Sequence, residues 1–361
     1  MATSTTSTCG GTSISSKDMH DIKIRYRISP ATMNLLSSIP KSPDRQQILH
    51  KACNASELRC FPLKQTERGF FREINDHTAI PYPIKENISQ PWHKVFLLIQ
   101  VELLRTGWPN KISVAARKEL YQELGRMLVL LDRVLRCIVD FLGLRRDGRG
   151  VNAALGLLRS IWSRVWDGDG RELLSIDGIG AAKMDKLGRA GVRTIRQIQQ
   201  LEFCHIERLL SRNPPFGHQL LQKLAGFPRL VCEFESIVQA PLVPTPQETP
   251  LPSGICPWIC RAVMRYENNK PPFWKKDNPW VTLVIEGDDG RLLWFWRGGI
   301  QRLNESKDLV ICLQTKMGEK IQIRLACEEI VGTMVSMTHQ MPEMVEDPGS
   351  SASSCGHVKK L

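Results

Sequence analysis

Apolar residues recur at intervals of three and four along much of residues 25–168, which is the pattern of one face of an α-helix. The longest run covers residues 114–142 and places leucine or isoleucine at positions 124, 128, 131, 135, 138 and 142. A shorter run, 151–166, has apolar residues at 151, 154, 158, 162 and 165. Because each stripe must be buried against other helices, residues 25–168 are predicted to form a helical bundle.

From residue 229 onward the pattern changes to short apolar runs that alternate with polar residues, which is typical of β-strands. Such runs recur at 230–234, 259–266, 280–285, 292–296, 309–314 and 321–325. We predict an immunoglobulin-like or fibronectin-like β-sandwich over residues 229–338. Residues 1–24 and 339–361, which are rich in serine and glycine, are expected to be disordered tails. The predicted fold class is multidomain, α followed by β.

A glycine-rich stretch between these two regions is the main candidate for a ligand site. Apolar residues over 173–176 suit the buried face of a short helix, a Gly-Ile-Gly turn follows at 178–180, and a second helix begins with Ala181. We predict a helix-hairpin-helix domain over residues 169–228, whose turn exposes N–H groups that can bind a phosphate. The predicted contacts to a nucleic-acid backbone are Gly178, Ile179, Gly180, Ala181, Lys183 and Lys186. The alternative is an ordinary turn between helices without a ligand.

The helix predicted over 151–166 offers a second candidate surface. Arg159 and Trp166 are two turns apart and lie along one edge of this helix, with Trp162 one turn before Trp166. An arginine and a tryptophan in this arrangement could pair with and stack on a single nucleic-acid strand. The alternative is that Trp166 anchors the helix end in the core and that Arg159 is solvated.

The charge of the chain favours a polyanionic partner. The formal net charge is +12, and residues 141–231 carry 15 Lys and Arg against 8 Asp and Glu. More than half of the positive excess therefore surrounds the predicted hairpin, as a nucleic-acid-binding surface requires. The 11 cysteines occur singly, which favours reduced thiols in an intracellular protein. We expect no contact with a membrane, because charged residues interrupt the most apolar helix.

Several enzyme classes lack their motifs in this sequence. The phosphate-binding loop of nucleoside triphosphatases, the His-Glu-x-x-His motif and the Gly-x-Ser-x-Gly motif are all missing. Cys256 and Cys260 have no second ligand pair, so no metal site is predicted. Lys183 loosely matches the lysine of base-excision glycosylases, but no aspartate follows it in the required window. We therefore predict no catalytic residue and no cofactor in this chain.

A series of linked motifs carries a resemblance to a known family. The motifs are Arg-Glu-Ile-Asn at 72–75, Pro-Ile-Lys-Glu-Asn-Ile at 83–88, Trp-His-Lys-Val at 92–95, Ile-Gln-Val-Glu-Leu at 99–103, the Gly-Ile-Gly turn, Asn-Pro-Pro-Phe-Gly at 213–217 and Leu-Ala-Gly-Phe-Pro-Arg at 224–229. Their order resembles the Sec-sixty-three-type C-terminal module of Ski-two-like superfamily-two helicases. The pattern is most similar to that of the meiotic crossover DNA helicases of the Mer-three type. The resemblance covers residues 26–235 by motif and the rest, to 338, by architecture only.

The resemblance implies a module that stacks against an ATP-driven motor and grips a DNA backbone or single strand in the nucleus. The helix over 151–166 is the candidate for the strand-contacting helix of such enzymes. The motor domains, which alone would need ATP and Mg²⁺, are absent from this chain and would act in cis or in trans. The chain is then either a truncated gene product or a standalone accessory protein. DNA, single-stranded or branched, is the expected partner. Because RNA-processing helicases share the module, RNA and a protein-interaction scaffold with a purely structural hairpin stay open.

Overall fold

The computed structural model describes residues 15–239, 254–275 and 278–343. Within them, α-helices precede two antiparallel β-sheets, so the fold is mixed α and β, with helices first. The helices are α1 (Ser16–Tyr26), α2 (Pro30–Ser37), α3 (Arg45–Cys53), α4 (Arg68–His77), α5 (Pro91–Leu104), α6 (Val114–Leu144), α7 (Gly148–Ser163), α8 (Ala181–Arg189), α9 (Ile195–Gln199), α10 (Phe203–Leu210) and α11 (Phe216–Leu224). None of these helices has the length and apolarity that crossing a membrane requires.

Helices α1 to α7 share one apolar core, and α6 is its longest member. Ser113 caps α6 by accepting a hydrogen bond from the amide of Ala116, as serine commonly does at a helix N-terminus. The leucines and isoleucine of the predicted stripe on α6 are buried. The long helix predicted from the three-and-four spacing is therefore confirmed. It ends two residues beyond the predicted limit.

The seven strands of the described residues form two sheets. The strands are β1 (Leu230–Gln239), β2 (Ile255–Tyr266), β3 (Trp280–Glu286), β4 (Leu292–Gly299), β5 (Lys307–Lys316), β6 (Lys320–Cys327) and β7 (Val335–Gln340). One sheet has the order β1-β2-β5 and the other β4-β3-β6-β7, with antiparallel neighbours throughout. Their facing residues form one apolar core, which continues into helices α8 to α11. The predicted hairpin and β regions are thus joined by a common interior.

Strand β3 is buried on both faces from Val281 to Glu286, which explains its mostly apolar sequence. Leu283 and Ile285 point into the core between the two sheets. Val284 lies on the opposite face and belongs to the core of the helical bundle, together with Leu292 of β4. The bundle therefore packs directly on the outer face of the β4-β3-β6-β7 sheet.

Part of each predicted tail has regular structure. Residues 16–24 form most of α1, because Ser15 accepts a hydrogen bond from the amide of Lys17 and Ile22 is buried in the bundle. At the other end, Gln340 pairs with Lys320 across β7 and β6, and Met341 is fully buried. The predicted disorder is wrong for residues 16–24 and 339–341. Residues 1–14 and 344–361 of the predicted tails lie outside the described residues.

Candidate nucleic-acid interface

The segment before the glycine turn is shorter than predicted. Instead of an α-helix, residues Glu172–Ser175 form a single 3-10 turn, in which Leu173 and Leu174 are buried. The Ile179 side chain is also buried, and its amide donates to the carbonyl of Ile176. Ile179 therefore anchors the turn in the core, and its side chain is not available to a ligand.

The two glycines of the turn have different conformations. Gly178 has φ +94°, in a region that only glycine adopts without strain. Gly180 has φ −102° and ψ 179°, which is extended backbone open to any residue, and a Cβ there would meet nothing within 4 Å. Gly178 is therefore the conformationally required glycine. Gly180 leaves space above the start of α8.

The N-terminus of α8 is the feature most suited to a phosphate. No side chain caps it, and Gly180, Ala181 and Ala182 are exposed. The amides of Ala181 and Ala182 precede the first hydrogen bonds of the helix, which run from Lys183 and Met184 to the carbonyl of Gly180. Free N–H groups at the positive end of a helix dipole favour an anion.

The two predicted lysines stand beside this helix start. Lys183 is half-buried, and its ammonium donates to the carbonyl of Gly178 and lies 4.6 Å from the centre of the Phe216 ring. Partial burial, and then the nearby Arg212, lower the pKa of Lys183. A bound phosphate would favour its charged form. Lys186 is exposed and donates to the hydroxyl of Ser211.

A lysine from a distant part of the sequence lies near the turn, with two arginines near it. Lys275, in the loop before β3, has a pKa lowered by burial, while Asp177 of the turn favours its charged form. Arg105 and Arg164, which end α5 and α7, act on the same ammonium and disfavour its charge. Lys275 therefore lies near Asp177 of the turn, and Arg105 and Arg164 lie near Lys275. Sequence patterns missed them because nothing local links these positions to the turn.

Arg159 and Trp166 are not part of an exposed surface, and their assignment to a strand-contacting edge is wrong. The Arg159 side chain is 5% exposed, and its Nε donates to Asp167 at 2.9 Å. Trp166 is 3% exposed and meets Tyr82 edge to face in the bundle core. Helix α7 ends at Ser163 because Arg164 adopts a left-handed conformation. Trp166 therefore lies beyond the helix, where the expected angular relation no longer holds.

Trp162 is accessible where the spacing predicts burial. Its place in the apolar stripe of the helix predicts a buried ring, yet the side chain is 43% exposed. Its indole N–H donates to Asp132 of α6 at 2.8 Å. Of the three residues proposed for strand contact, Trp162 alone has an accessible side chain.

The described residues include one acidic cluster with metal-like spacing, formed by Asp288, Asp289 and Glu319. The guanidinium of Arg291 lies among these carboxylates, 2.6 Å from Glu319 and 2.9 Å from Asp289. An internal cation therefore already balances the charge of this cluster. Cys256 and Cys260 lie four residues apart in β2, a separation of about 13 Å along a strand, which is too large for both to bind one metal ion.

The fold consists of a helical bundle and a pair of β-sheets, and the basic, glycine-containing turn packs through Ile179 on the core that the sheets share with α8 to α11. The chain belongs to the family described as the Sec63 Brl domain, whose model matches residues 16–340. The predicted family resemblance is thereby confirmed.

Individual relatives are DNA helicases by name. Over 327 residues the chain is 25% identical to the ATP-dependent DNA helicase MER3 of Saccharomyces cerevisiae. The aligned region covers 85% of this chain and 26% of the relative. It is 22% identical over 219 residues to the probable ATP-dependent DNA helicase HFM1 of Xenopus tropicalis, covering 59% and 16%. It is also 22% identical over 213 residues to the Arabidopsis thaliana homolog of MER3, covering 56% and 18%. The chain thus spans about a quarter or less of the length of these helicases.

Proposed function

We propose that this chain is the nucleic-acid-binding module of an ATP-dependent DNA helicase of the meiotic crossover type, acting in the nucleus. The observation that carries the proposal is the uncapped, exposed N-terminus of α8, with Lys183 and Lys186 beside it. The names of the similar proteins support DNA as the nucleic acid. Motor domains outside this chain, in cis or in trans, would supply ATP hydrolysis.

The helix-hairpin-helix assignment belongs to this proposal. The turn at 177–180 and the uncapped start of α8 support this assignment, while a single 3-10 turn stands where such a motif has its first helix. Main-chain N–H groups and lysines contact phosphates whatever the base sequence, so we expect binding without sequence specificity. The β-sheets are proposed to be an immunoglobulin-like sandwich on the strength of their two-sheet antiparallel order.

Charge reversal at Lys183 tests the basic part of the site. We expect Lys183→Glu to weaken binding of a fluorescein-labelled oligo-dT by about tenfold or more, because a charged hydrogen bond to phosphate is lost. The plot of log affinity against log salt should become shallower by about one. Fluorescence anisotropy at several salt concentrations measures both quantities. The matched control is Lys118→Glu, which makes the same charge change at an exposed site on α6.

Equal affinities for the Lys183→Glu and Lys118→Glu proteins would show that the hairpin does not hold DNA. In that case the second candidate function, a protein-interaction scaffold with a structural hairpin, would gain support. One observation favours that candidate. Trp162, Trp280 and Val129 are exposed apolar side chains. The indole of Trp162 donates to Asp132 and the amide of Trp280 donates to Glu329, and Arg136 of α6 pairs with both of these carboxylates.

A proline at position 181 tests the amide part of the site separately from charge. Ala181 is the first residue of α8, where proline is well tolerated, and the preceding Gly180 is extended, as a residue before proline prefers. We therefore expect Ala181→Pro to leave thermal stability unchanged and to weaken DNA binding several-fold, about 1 kcal/mol for one lost hydrogen bond. Fluorescence anisotropy measures the change in DNA affinity, and a thermal melt measures the stability. Wild-type affinity in the proline variant would exclude the amide of Ala181 as a ligand.

A further inference from the structure

The ring of Phe216 lies beside the glycine turn and is in contact with two cations. Phe216 is the first residue of α11 and is half-buried. The ammonium of Lys183 lies 4.6 Å from its ring centre and the guanidinium carbon of Arg212 lies 6.0 Å from it. Two cations that could serve a phosphate are thus held against one aromatic ring.

The backbone around this ring is held firmly. A Cβ on Gly217 would come within 2.1 Å of the carbonyl oxygen of Phe203, so α11 begins in direct contact with α10. The buried Glu207 carboxylate accepts a hydrogen bond from the amide of Gly217 at 2.9 Å. The ring therefore belongs to a fixed helix start and is partly buried against the core that the sheets share with α8 to α11, whereas the cations over it are on long, flexible side chains.

Lys183 lies between the ring and the turn that precedes the proposed phosphate site at the start of α8. Its ammonium contacts the carbonyl of Gly178 in the turn and, at the same time, the ring of Phe216. One ammonium group therefore bridges the Gly178 carbonyl and the aromatic ring. Because α8 begins at Ala181, three residues after Gly178, we expect a phosphate at the helix start and the base of the same or the adjoining nucleotide to reach the two sites together.

We propose that Phe216 is a base-stacking platform that selects single-stranded DNA, an inference that rests on the proposed DNA-binding function. A phosphate at the α8 N-terminus attracts Lys183 and Arg212 more strongly than the ring does, because cation–π attraction at exposed sites is modest. Their movement uncovers the ring, and an unpaired base stacks on it. Bases in a duplex are already stacked and paired, so a duplex gains nothing from Phe216 without first being opened.

The test is Phe216→Leu in the full chain, which keeps an apolar side chain of similar size at the helix start. We expect its affinity for oligo-dT to fall roughly 5- to 100-fold, the range for one lost base stack. Affinity for a blunt duplex and the salt dependence of binding should both stay at wild-type values. Phe216→Trp should bind oligo-dT at least as tightly as the wild type. The matched control is Phe203→Leu, at an exposed phenylalanine of α10, which should change nothing.

The outcomes separate this inference from the proposed function. If Phe216→Leu binds oligo-dT normally while Lys183→Glu does not, the stacking platform is overturned and the phosphate site stands. If neither variant loses affinity, both ideas fall. An equal loss for oligo-dT and duplex would also overturn the platform, because a stacking residue must favour the single strand. Circular dichroism confirms that each variant is folded.

Discussion

Replacing Lys94 with methionine should lower the free energy of unfolding of the helical bundle by about 3–5 kcal/mol, the cost of removing one partner from a buried ion pair. The Lys94 side chain is completely buried in α5. Its ammonium lies 2.6 Å from Glu123 and 2.9 Å from Glu67 and also donates to the carbonyl of Pro62. Without the lysine, two carboxylates remain in the core with no cation between them.

Chemical denaturation followed by circular dichroism measures this loss. The control is Lys111→Met, because Lys111 makes an equally short ion pair with Glu73, at 2.6 Å, but in an exposed setting. That change should stay within about 0.5 kcal/mol of the wild type. The comparison therefore isolates the effect of burial from the effect of pairing.

A triple variant provides the decisive check on the cause. Adding Glu67→Gln and Glu123→Gln to Lys94→Met removes the unpaired charges, so part of the lost stability should return. If Lys94→Met is as stable as the wild type, or if the triple variant is less stable than the single one, the buried triad is not what holds α5 in the bundle.

Replacing Arg297 with methionine should have an effect of similar size, about 3 kcal/mol, at the junction of the bundle and the sheets. Arg297 of β4 pairs with Asp140 of α6 at 2.8 Å and with the fully buried Glu328. Arg136 of α6 approaches the same Glu328 at 2.5 Å. Burial, and then Asp140, raise the pKa of Tyr26, so its hydroxyl stays protonated and donates to Asp140. Loss of Arg297 leaves both carboxylates undercompensated.

These ion pairs join the core of the helical bundle to the β region. Their loss should therefore also reduce the cooperativity of unfolding. We expect the thermal unfolding of Arg297→Met to broaden or to split into two transitions, one for the bundle and one for the β region. Differential scanning calorimetry records this directly. Arg265→Met is the control, since Arg265 pairs with Glu233 on an exposed face of β2 at 3.3 Å and should change little. A single sharp transition with wild-type stability in Arg297→Met would show that apolar contacts alone join the two parts.

The sequence predicts correctly the features that depend on neighbouring residues and fails for those that depend on contacts between distant segments. The spacing of apolar residues identified α6 and most strands, because burial of one face is encoded locally. The same spacing failed for Arg159, whose partner Asp167 lies just past the end of α7. It also failed for Trp162, where a hydrogen bond to Asp132 on another helix holds the ring at the surface.

The candidate site was predictable only in part for the same reason. The glycine turn and Lys183 are adjacent in sequence, so their pattern was visible. Arg212 and Phe216 flank the break at Asn213-Pro214-Pro215, and this arginine and aromatic residue on either side of it are the local signal of the site. Their role depends on the packing of α8 against α10 and α11, which no local pattern describes.

The sequence by itself determined the order of helices and strands, the concentration of positive charge around residues 141–231 and the family resemblance, since each depends on residue type and spacing alone. The tertiary structure decided which side chains are accessible. It buried Ile179, Arg159 and Trp166 and left the start of α8 uncapped beside Lys183. Burial is set by contacts between distant segments, and therefore only the folded chain separates the residues that build the core from those that can hold a ligand.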